Sequence, residues 1–227
     1  VPRAEPSAPG LKINYNIFTA TSNLLRDAAK QLGVFRSILG ISWFWLIGAF
    51  WLTLVPDYTR QYLHQGEKTF TLIFIAFSLG IAAGSMACNR MLRGEITAKF
   101  VPLAGLGMSV FMADFAWLTV SIGDRFATEV FTPWSWIGVR LIGDLVGIAA
   151  AGGVFSVPLY AMMQSWAEPA SRSRVIAANN VMNALFMTAI SIATGAMFAA
   201  GISKPTVIFL LAGLNVAVSI YIVRLVP

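Results

Sequence analysis

Six apolar stretches dominate this sequence, and each is about as long as the 20-residue helix that crosses a lipid bilayer. Only 11% of the 227 residues are charged, less than half of the share of about 25% that is usual in soluble domains. Because lipid offers no hydrogen-bond partner to an open strand, spanning segments of this kind must be helical. The sequence therefore predicts an all-α transmembrane bundle with spans at residues 39–56, 70–88, 100–122, 133–159, 175–200 and 205–223.

Two segments of different character precede the first predicted span. Residues 1–16 include four prolines or glycines among the first ten, which is typical of a linker. Over residues 17–38, apolar side chains recur at helical spacing while Arg26, Asp27 and Lys30 fall on the other face. We therefore predict a linker at 1–16, an interfacial amphipathic helix at 17–38 and a transmembrane bundle at 39–227.

The basic residues are distributed unevenly between the two sides of the predicted bundle. Six spans place both termini on one side, and eleven of the sixteen lysines and arginines lie there, against four on the other side and Arg140 within a span. This bias predicts that both termini are cytoplasmic. The net charge of +6 is then explained by topology, and we expect no nucleic-acid partner.

Catalytic and metal-binding motifs are missing from the sequence. A single cysteine, Cys88, excludes an internal disulfide and a cysteine metal cluster. The only histidine, His64, is followed five residues later by Thr69, whereas the glycerolipid acyltransferase signature has an aspartate at that spacing. We expect no enzyme activity, no cofactor and no metal in this chain.

Charged residues inside the predicted spans are the first candidates for a functional site, because they are costly at membrane depth. Arg140 and Asp144 are four residues apart on one helical face, with Asp144 about 15 Å from the start of its span. They form either a self-neutralising pair or a site for a zwitterionic or anionic head group. We expect Asp114 to have a partner inside the bundle and Asp57 to be a boundary residue, although either could hold a coupling ion.

Three asparagines form the second candidate group. Asn179, Asn180 and Asn183 are three or four residues apart in the fifth predicted span, close to Arg172 and Arg174 in the preceding link. This spacing predicts one amide patch, and amides within a bilayer bond to neighbouring helices. Our hypothesis is that the patch and the two arginines form a gate, at which some of the amides change partners as the gate opens.

Several of these motifs resemble those of the major facilitator superfamily of transporters. The stretch 168–174, followed by Asn179, Asn180 and Asn183, is similar to the link and start of the eleventh helix in that family. The segment "GSMACNRMLRGE", with Gly84, Arg90 and Arg93, resembles the family's loop motif, although Cys88 stands where that motif has an aspartate. The resemblance implies the C-terminal six-helix half of the fold, built from two inverted three-helix repeats.

Four further strings resemble the lysophospholipid transporter branch of that family: "ILGISWFWLIGAFWLT", "VPLAGLGMS", "GGVFSVPLYAMMQ" and "RVIAANNVMNALFM". The resemblance implies transport of a lysophospholipid such as lysophosphatidylethanolamine across a bacterial inner membrane for re-acylation. Arg140 and Asp144 would bind the head group. Trp43 would either line an acyl-chain groove or anchor its helix at the membrane interface. Implied partners are the N-terminal six-helix half, the bilayer and a fused or associated acyltransferase and acyl-carrier-protein synthetase.

Two alternative functions stay open at this stage. The chain could belong to a superfamily permease for a small soluble drug or metabolite, which predicts a closed polar cavity. It could also be a membrane anchor for a fused acyltransferase, which predicts that the charges within the spans are dispensable for activity.

Overall fold

The computed structural model describes residues 15–123 and 132–222, and this part of the chain is helical without strands. Six of its helices are long and apolar enough to cross a membrane, which confirms the prediction of six spans. The predicted linker up to residue 14 and the end of the last span at residue 223 lie outside the described residues. The helices are α1 (Ile17–Lys30), α2 (Leu32–Gln61), α3 (Glu67–Leu92), α4 (Val101–Ile122), α5 (Trp136–Trp166), α6 (Arg172–Ala199) and α7 (Lys204–Ile222).

The predicted amphipathic helix at 17–38 is divided in the structure. Helix α1 begins after Asn16, whose side-chain oxygen accepts hydrogen bonds from the backbone amides of Phe18 and Thr19 at 3.1 and 3.2 Å. It ends at Lys30, because Gln31 departs from helical geometry, with φ −97° and ψ 84°. Residues 32–38 therefore belong to the first spanning helix, which is longer than its apolar run.

Helices α3 and α5 approach each other with backbone in direct contact. A Cβ atom added to Gly84 would lie 1.9 Å from the carbonyl oxygen of Ala150, and one added to Gly153 would lie 2.6 Å from that of Ile81. Gly80 is similarly close to Val146, at 2.8 Å. Small residues permit such packing between membrane helices, where the hydrophobic effect does not drive association.

The packing of α2, α4, α5 and α7 forms the centre of the bundle. Helix α2 packs along α5 and α6, and α4 packs along α5 and α7. The centre contains an aromatic group in which the Trp51 and Phe115 rings meet edge to face at 5.0 Å. By contrast, α3 and the fifth span are peripheral: 17% and 11% of their most apolar windows are buried, against 61% for α2.

The two ends of the bundle differ in charge. Helices α3 and α5 end, and α4 and α6 begin, at what we call the arginine-rich end, which carries Arg90, Arg93, Arg172 and Arg174. At the opposite end, Lys204 at the start of α7 pairs with Asp57 at 2.9 Å and donates to Gln61 Oε1 at 2.5 Å. These contacts join the end of α2 to α7, and they place Asp57 at the boundary of its span.

We expect Gly84→Ala to reduce the free energy of unfolding by about 1–3 kcal/mol. The new methyl group would overlap the Ala150 carbonyl, so α3 would have to move away from α5. Gly195→Ala in α6 is the matched control, since an added Cβ there meets no atom within 4 Å. Alanine favours a helix over glycine by about 1 kcal/mol, so this control should be neutral or stabilising. Denaturant titration of both variants in bicelles tests this, and equal effects would contradict the packing described.

Candidate functional site

The main candidate site is a charge cluster between α4 and α5. Arg140 of α5 binds Asp114 of α4 through two hydrogen bonds: Nε donates to Oδ2 at 3.0 Å, and Nη2 donates to Oδ1. This two-pronged geometry is the strong form of an arginine–carboxylate pair. Asp114 thus has the partner inside the bundle that the sequence predicts. The hydrogen bonds of Arg140 go to Asp114, however, and not to Asp144 as the self-neutralising pair requires.

Asp144 completes the cluster from a more buried position. Its side chain lies one turn beyond Arg140 on α5, and the residue is only 5% exposed. Its carboxyl group neighbours that of Asp114. Its Oδ2 atom is buried and has no hydrogen-bond partner among the residues that the structure describes. Two carboxyl groups therefore face a single guanidinium.

The depth of the cluster determines what it can do. From the start of α5, Arg140 is about 6 Å along the axis and Asp144 about 12 Å, in a hydrocarbon core about 30 Å thick. The Arg140 and Asp114 side chains are each 35% exposed. A charged residue at the centre of a span is disfavoured by about 2.5–3.5 kcal/mol on insertion scales and usually faces a polar cavity or a partner. The cluster thus offers a cation near the boundary and a carboxyl group deeper in.

Trp43, predicted to line an acyl-chain groove, is part of a buried polar network. Its Nε1 donates to Asn215 Oδ1 at 2.8 Å, while Asn215 Nδ2 donates to the Gly105 carbonyl at 2.6 Å and to Ser109 Oγ at 2.9 Å. This network joins α2, α4 and α7. Sequence reasoning missed Asn215; its signal was a single amide inside an otherwise apolar span.

The three predicted gate asparagines do not share one face. Asn183 accepts a hydrogen bond from Ser42 of α2 at 2.9 Å, and Asn179 is buried one turn earlier with its Oδ1 unpaired among the described residues. Asn180 is exposed. Successive residues of a helix are 100° apart, so Asn180 points away while its neighbours pack inward. The prediction of a single patch is therefore wrong for Asn180.

The predicted gate arginines are also separated. Arg174 forms an ion pair with Asp27 of α1, and Lys30 binds the same carboxylate at 2.8 Å. Helix α1 is thereby attached to the start of α6 at the arginine-rich end. Arg172 instead lines a cavity of about 310 Å³ whose wall includes Gln164, Ser165, Val175 and Ile176.

The predicted loop motif has a structural part and an exposed part. Gly84 is the closest contact between α3 and α5. Arg90 and Arg93 are exposed at the end of α3, and Arg93 adopts a left-handed conformation with φ 49° before Gly94 at φ 87°. Cys88, at the position of the family's aspartate, is buried and its thiol faces the Val154 carbonyl at 3.8 Å.

Residues 15–123 and 132–222 contain no group of three or more histidine, cysteine, aspartate or glutamate side chains that could hold a metal ion. Comparison of the chain with protein-family models, curated proteins and solved structures gave no match. Any assignment of function must therefore come from the sequence motifs and from the geometry above.

The Asp27 ion pairs predict a pH-dependent attachment of α1. The hydrogen bond from Lys30, together with the positive charges of Lys30 and Arg174, lowers the pKa of Asp27 below its ordinary value. A lowered carboxylate pKa stabilises the folded state above the ordinary value, and this contribution is lost as the pH falls through the lowered one. We expect α1 to loosen below about pH 4.

Hydrogen–deuterium exchange of the α1 amides measures this loosening. Asp27→Asn should exchange a few times faster than wild type at neutral pH and show little further change on acidification. Glu95→Gln, which removes an exposed carboxylate elsewhere at the same end, is the control. Identical exchange in wild type and Asp27→Asn would show that the ion pairs do not hold α1.

We expect Asn215→Ala to lower the free energy of unfolding by about 1–2 kcal/mol. In the bundle centre, the Trp43 N–H loses its acceptor and the Gly105 carbonyl loses one of its donors. Asn23→Ala removes the same amide from an exposed position on α1 and should change stability by less than about 0.5 kcal/mol. Unfolding of both variants by denaturant in bicelles, followed by tryptophan fluorescence, measures the difference. Equal losses would contradict the assignment of the network to the centre.

Proposed function

We propose that this chain is the C-terminal six-helix half of a major facilitator-type transporter, and that the transporter moves a lysophospholipid such as lysophosphatidylethanolamine to the inner leaflet of a bacterial inner membrane for re-acylation. The observation that carries the proposal is the cluster of Arg140, Asp114 and Asp144 at membrane depth in a six-span bundle. Charges at such positions usually serve transport, because packing alone does not require them.

The pattern of helix contacts supports the half-transporter. Exchanging the first three spans for the last three maps α3 onto α6 and α5 onto α2. The contact of α3 with α5 then corresponds to that of α6 with α2. Both contacts are extensive. The contacts of α2 with α5 and of α4 with α7 map onto themselves. The contact of α4 with α5 is an exception, because it is extensive whereas its counterpart, α7 with α2, is slight. The other contacts follow the relation expected of two inverted three-helix repeats.

The exposed faces of α3 and α6 support a second half as partner. The second and fifth spans are the least buried, although they are as long as the others. Alongside leucine and isoleucine, they expose small and polar residues, which favour contact with another helix rather than with lipid. These are Thr71, Ser78, Ala82 and Asn89 on α3 and Ala177, Asn180, Ala184, Thr188 and Gly195 on α6. We propose that the N-terminal six-helix half covers these faces.

The chemistry of the cluster and its surroundings suits a lysophospholipid. Arg140 would bind the head-group phosphate and Asp144 the ammonium group, so that both charges of a zwitterion are matched. Towards the same end of the bundle, a shallow apolar groove of about 20 Å³ lies between α2 and α3, and Leu52 in its wall is 52% exposed. We propose that this groove contacts a short part of the acyl chain; its wall is formed by Gly48, Trp51, Leu52, Val55, Ile73, Phe74 and Phe77.

Uptake of labelled lysophosphatidylethanolamine into spheroplasts that express the intact polypeptide tests this function. We expect Arg140→Gln and Asp144→Asn to reduce uptake about thirtyfold or more, since loss of one partner from a buried charge pair weakens binding by at least about 2 kcal/mol. Lys68→Gln, at an exposed position at the same end, is the control and should transport normally. Size-exclusion profiles verify that each variant is folded.

The possible outcomes separate the parts of the proposal. Uptake that occurs equally without the protein would remove the lysophospholipid as cargo and direct attention to soluble substrates. Protein-dependent uptake that survives both substitutions would remove the cluster as its site. Re-acylation that needs the protein but neither uptake nor the cluster would indicate a membrane anchor for an acyltransferase.

A further inference from the structure

The charge cluster between α4 and α5 is not balanced. If all three groups are ionised, Asp114, Asp144 and Arg140 carry a net charge of −1 at membrane depth. The other charged residues on the helices that pack against α5 lie towards the helix ends: Arg36, Asp57 and Arg60 on α2, Glu67, Lys68 and Arg90 on α3, and Arg172 and Arg174 on α6. The cluster therefore lacks one positive charge.

Hydrogen-bond geometry identifies which of the two carboxyl groups lacks a positively charged partner. Both oxygens of Asp114 accept hydrogen bonds from the Arg140 guanidinium, which satisfies that carboxylate in its ionised form. Asp144 is nine-tenths buried or more, and its Oδ2 has no partner among the described residues. An ionised carboxylate is costly at a buried position where one of its oxygens has no hydrogen bond, and a bound proton would remove that cost.

We propose that Asp144 is a proton-binding site, in which the bound proton lies between the Asp144 and Asp114 carboxyl groups and competes with the cationic part of the cargo. Two carboxyl groups can hydrogen-bond to each other only when one of them carries a proton. The second half of this proposal rests on the proposed function; the proton site itself does not.

Competition follows from the charges. An ammonium group can pair with Asp144 only when Asp144 is an ionised carboxylate. Binding of a zwitterionic head group therefore releases the proton to water. The cargo is a neutral zwitterion, so the ionised cluster with cargo bound has a total charge of −1. The phosphate pairs with Arg140, and the ammonium group takes the place of the lost proton. Cargo binding should thus release one proton and weaken as the pH falls.

Infrared titration of the intact protein in nanodiscs tests the proton site without any cargo. We expect one carboxylic-acid C=O band at neutral pH that is absent from Asp144→Asn and retained in Glu95→Gln, whose substitution removes an exposed carboxylate. The decisive variant is Asp114→Asn, which frees Arg140 to pair with Asp144. This variant should also lose the band, although Asp144 is unchanged.

A band that persists in Asp144→Asn, or no protonated carboxyl group at neutral pH in folded wild-type protein, would overturn the proposal. A band that persists in Asp114→Asn would overturn the shared position of the proton. Size-exclusion profiles of the three variants establish that they are folded, and the near-isosteric change from aspartate to asparagine preserves side-chain volume.

The pH dependence of lysophosphatidylethanolamine uptake by reconstituted protein tests the competition. Uptake by wild type should fall as the pH is lowered, and the residual uptake by Asp144→Asn should be independent of pH. An unchanged pH profile in Asp144→Asn would overturn the competition. The two failures are distinguishable: a titrating Asp144 band with no lipid uptake keeps the proton site and removes the proposed cargo.

Discussion

The contact between the backbones of α3 and α5 is the constraint on which the rest of the structure depends. Helix α3 has little other burial, so the close fit of Gly84 against Ala150, and of Gly153 against Ile81, is what fixes it to the bundle. The same contact fixes α5, whose other faces pack on α2 and α4. Since α5 carries Arg140 and α4 carries Asp114, the packing of small residues determines where the charges meet.

The charge cluster then connects structure to function. A bundle of this composition is held together by packing and by buried amides such as Asn215, and neither requires ionised groups within the spans. Arg140 and Asp114 satisfy each other through a bidentate pair, whereas Asp144 keeps a buried oxygen unpaired among the described residues. We propose that this difference between the two carboxyl groups allows the cluster to bind a proton or a cationic head group.

The sequence predicted the spans more reliably than the contacts between them. All six predicted spans are found, but α2 and α5 extend beyond their apolar runs because polar residues at the ends can continue a helix into the interface. The division at Gln31 went unpredicted because the apolar pattern runs on through it. Gly80 and Gly84 meet α5, whereas Gly143 lies in open space and Gly147 meets the Phe111 ring.

Apolar length, which is a property of neighbouring residues in the chain, determined by itself that this protein has six helices long and apolar enough to cross a membrane. The tertiary structure alone decided the partners: Asp114 rather than Asp144 for Arg140, Asn215 for Trp43, and an inward position for Asn179 and Asn183 but not Asn180. The physical reason is that a polar group in a bilayer bonds to whichever group an adjacent helix brings to its depth. That depends on which helices are neighbours and on how each is rotated, and spacing along one helix specifies neither.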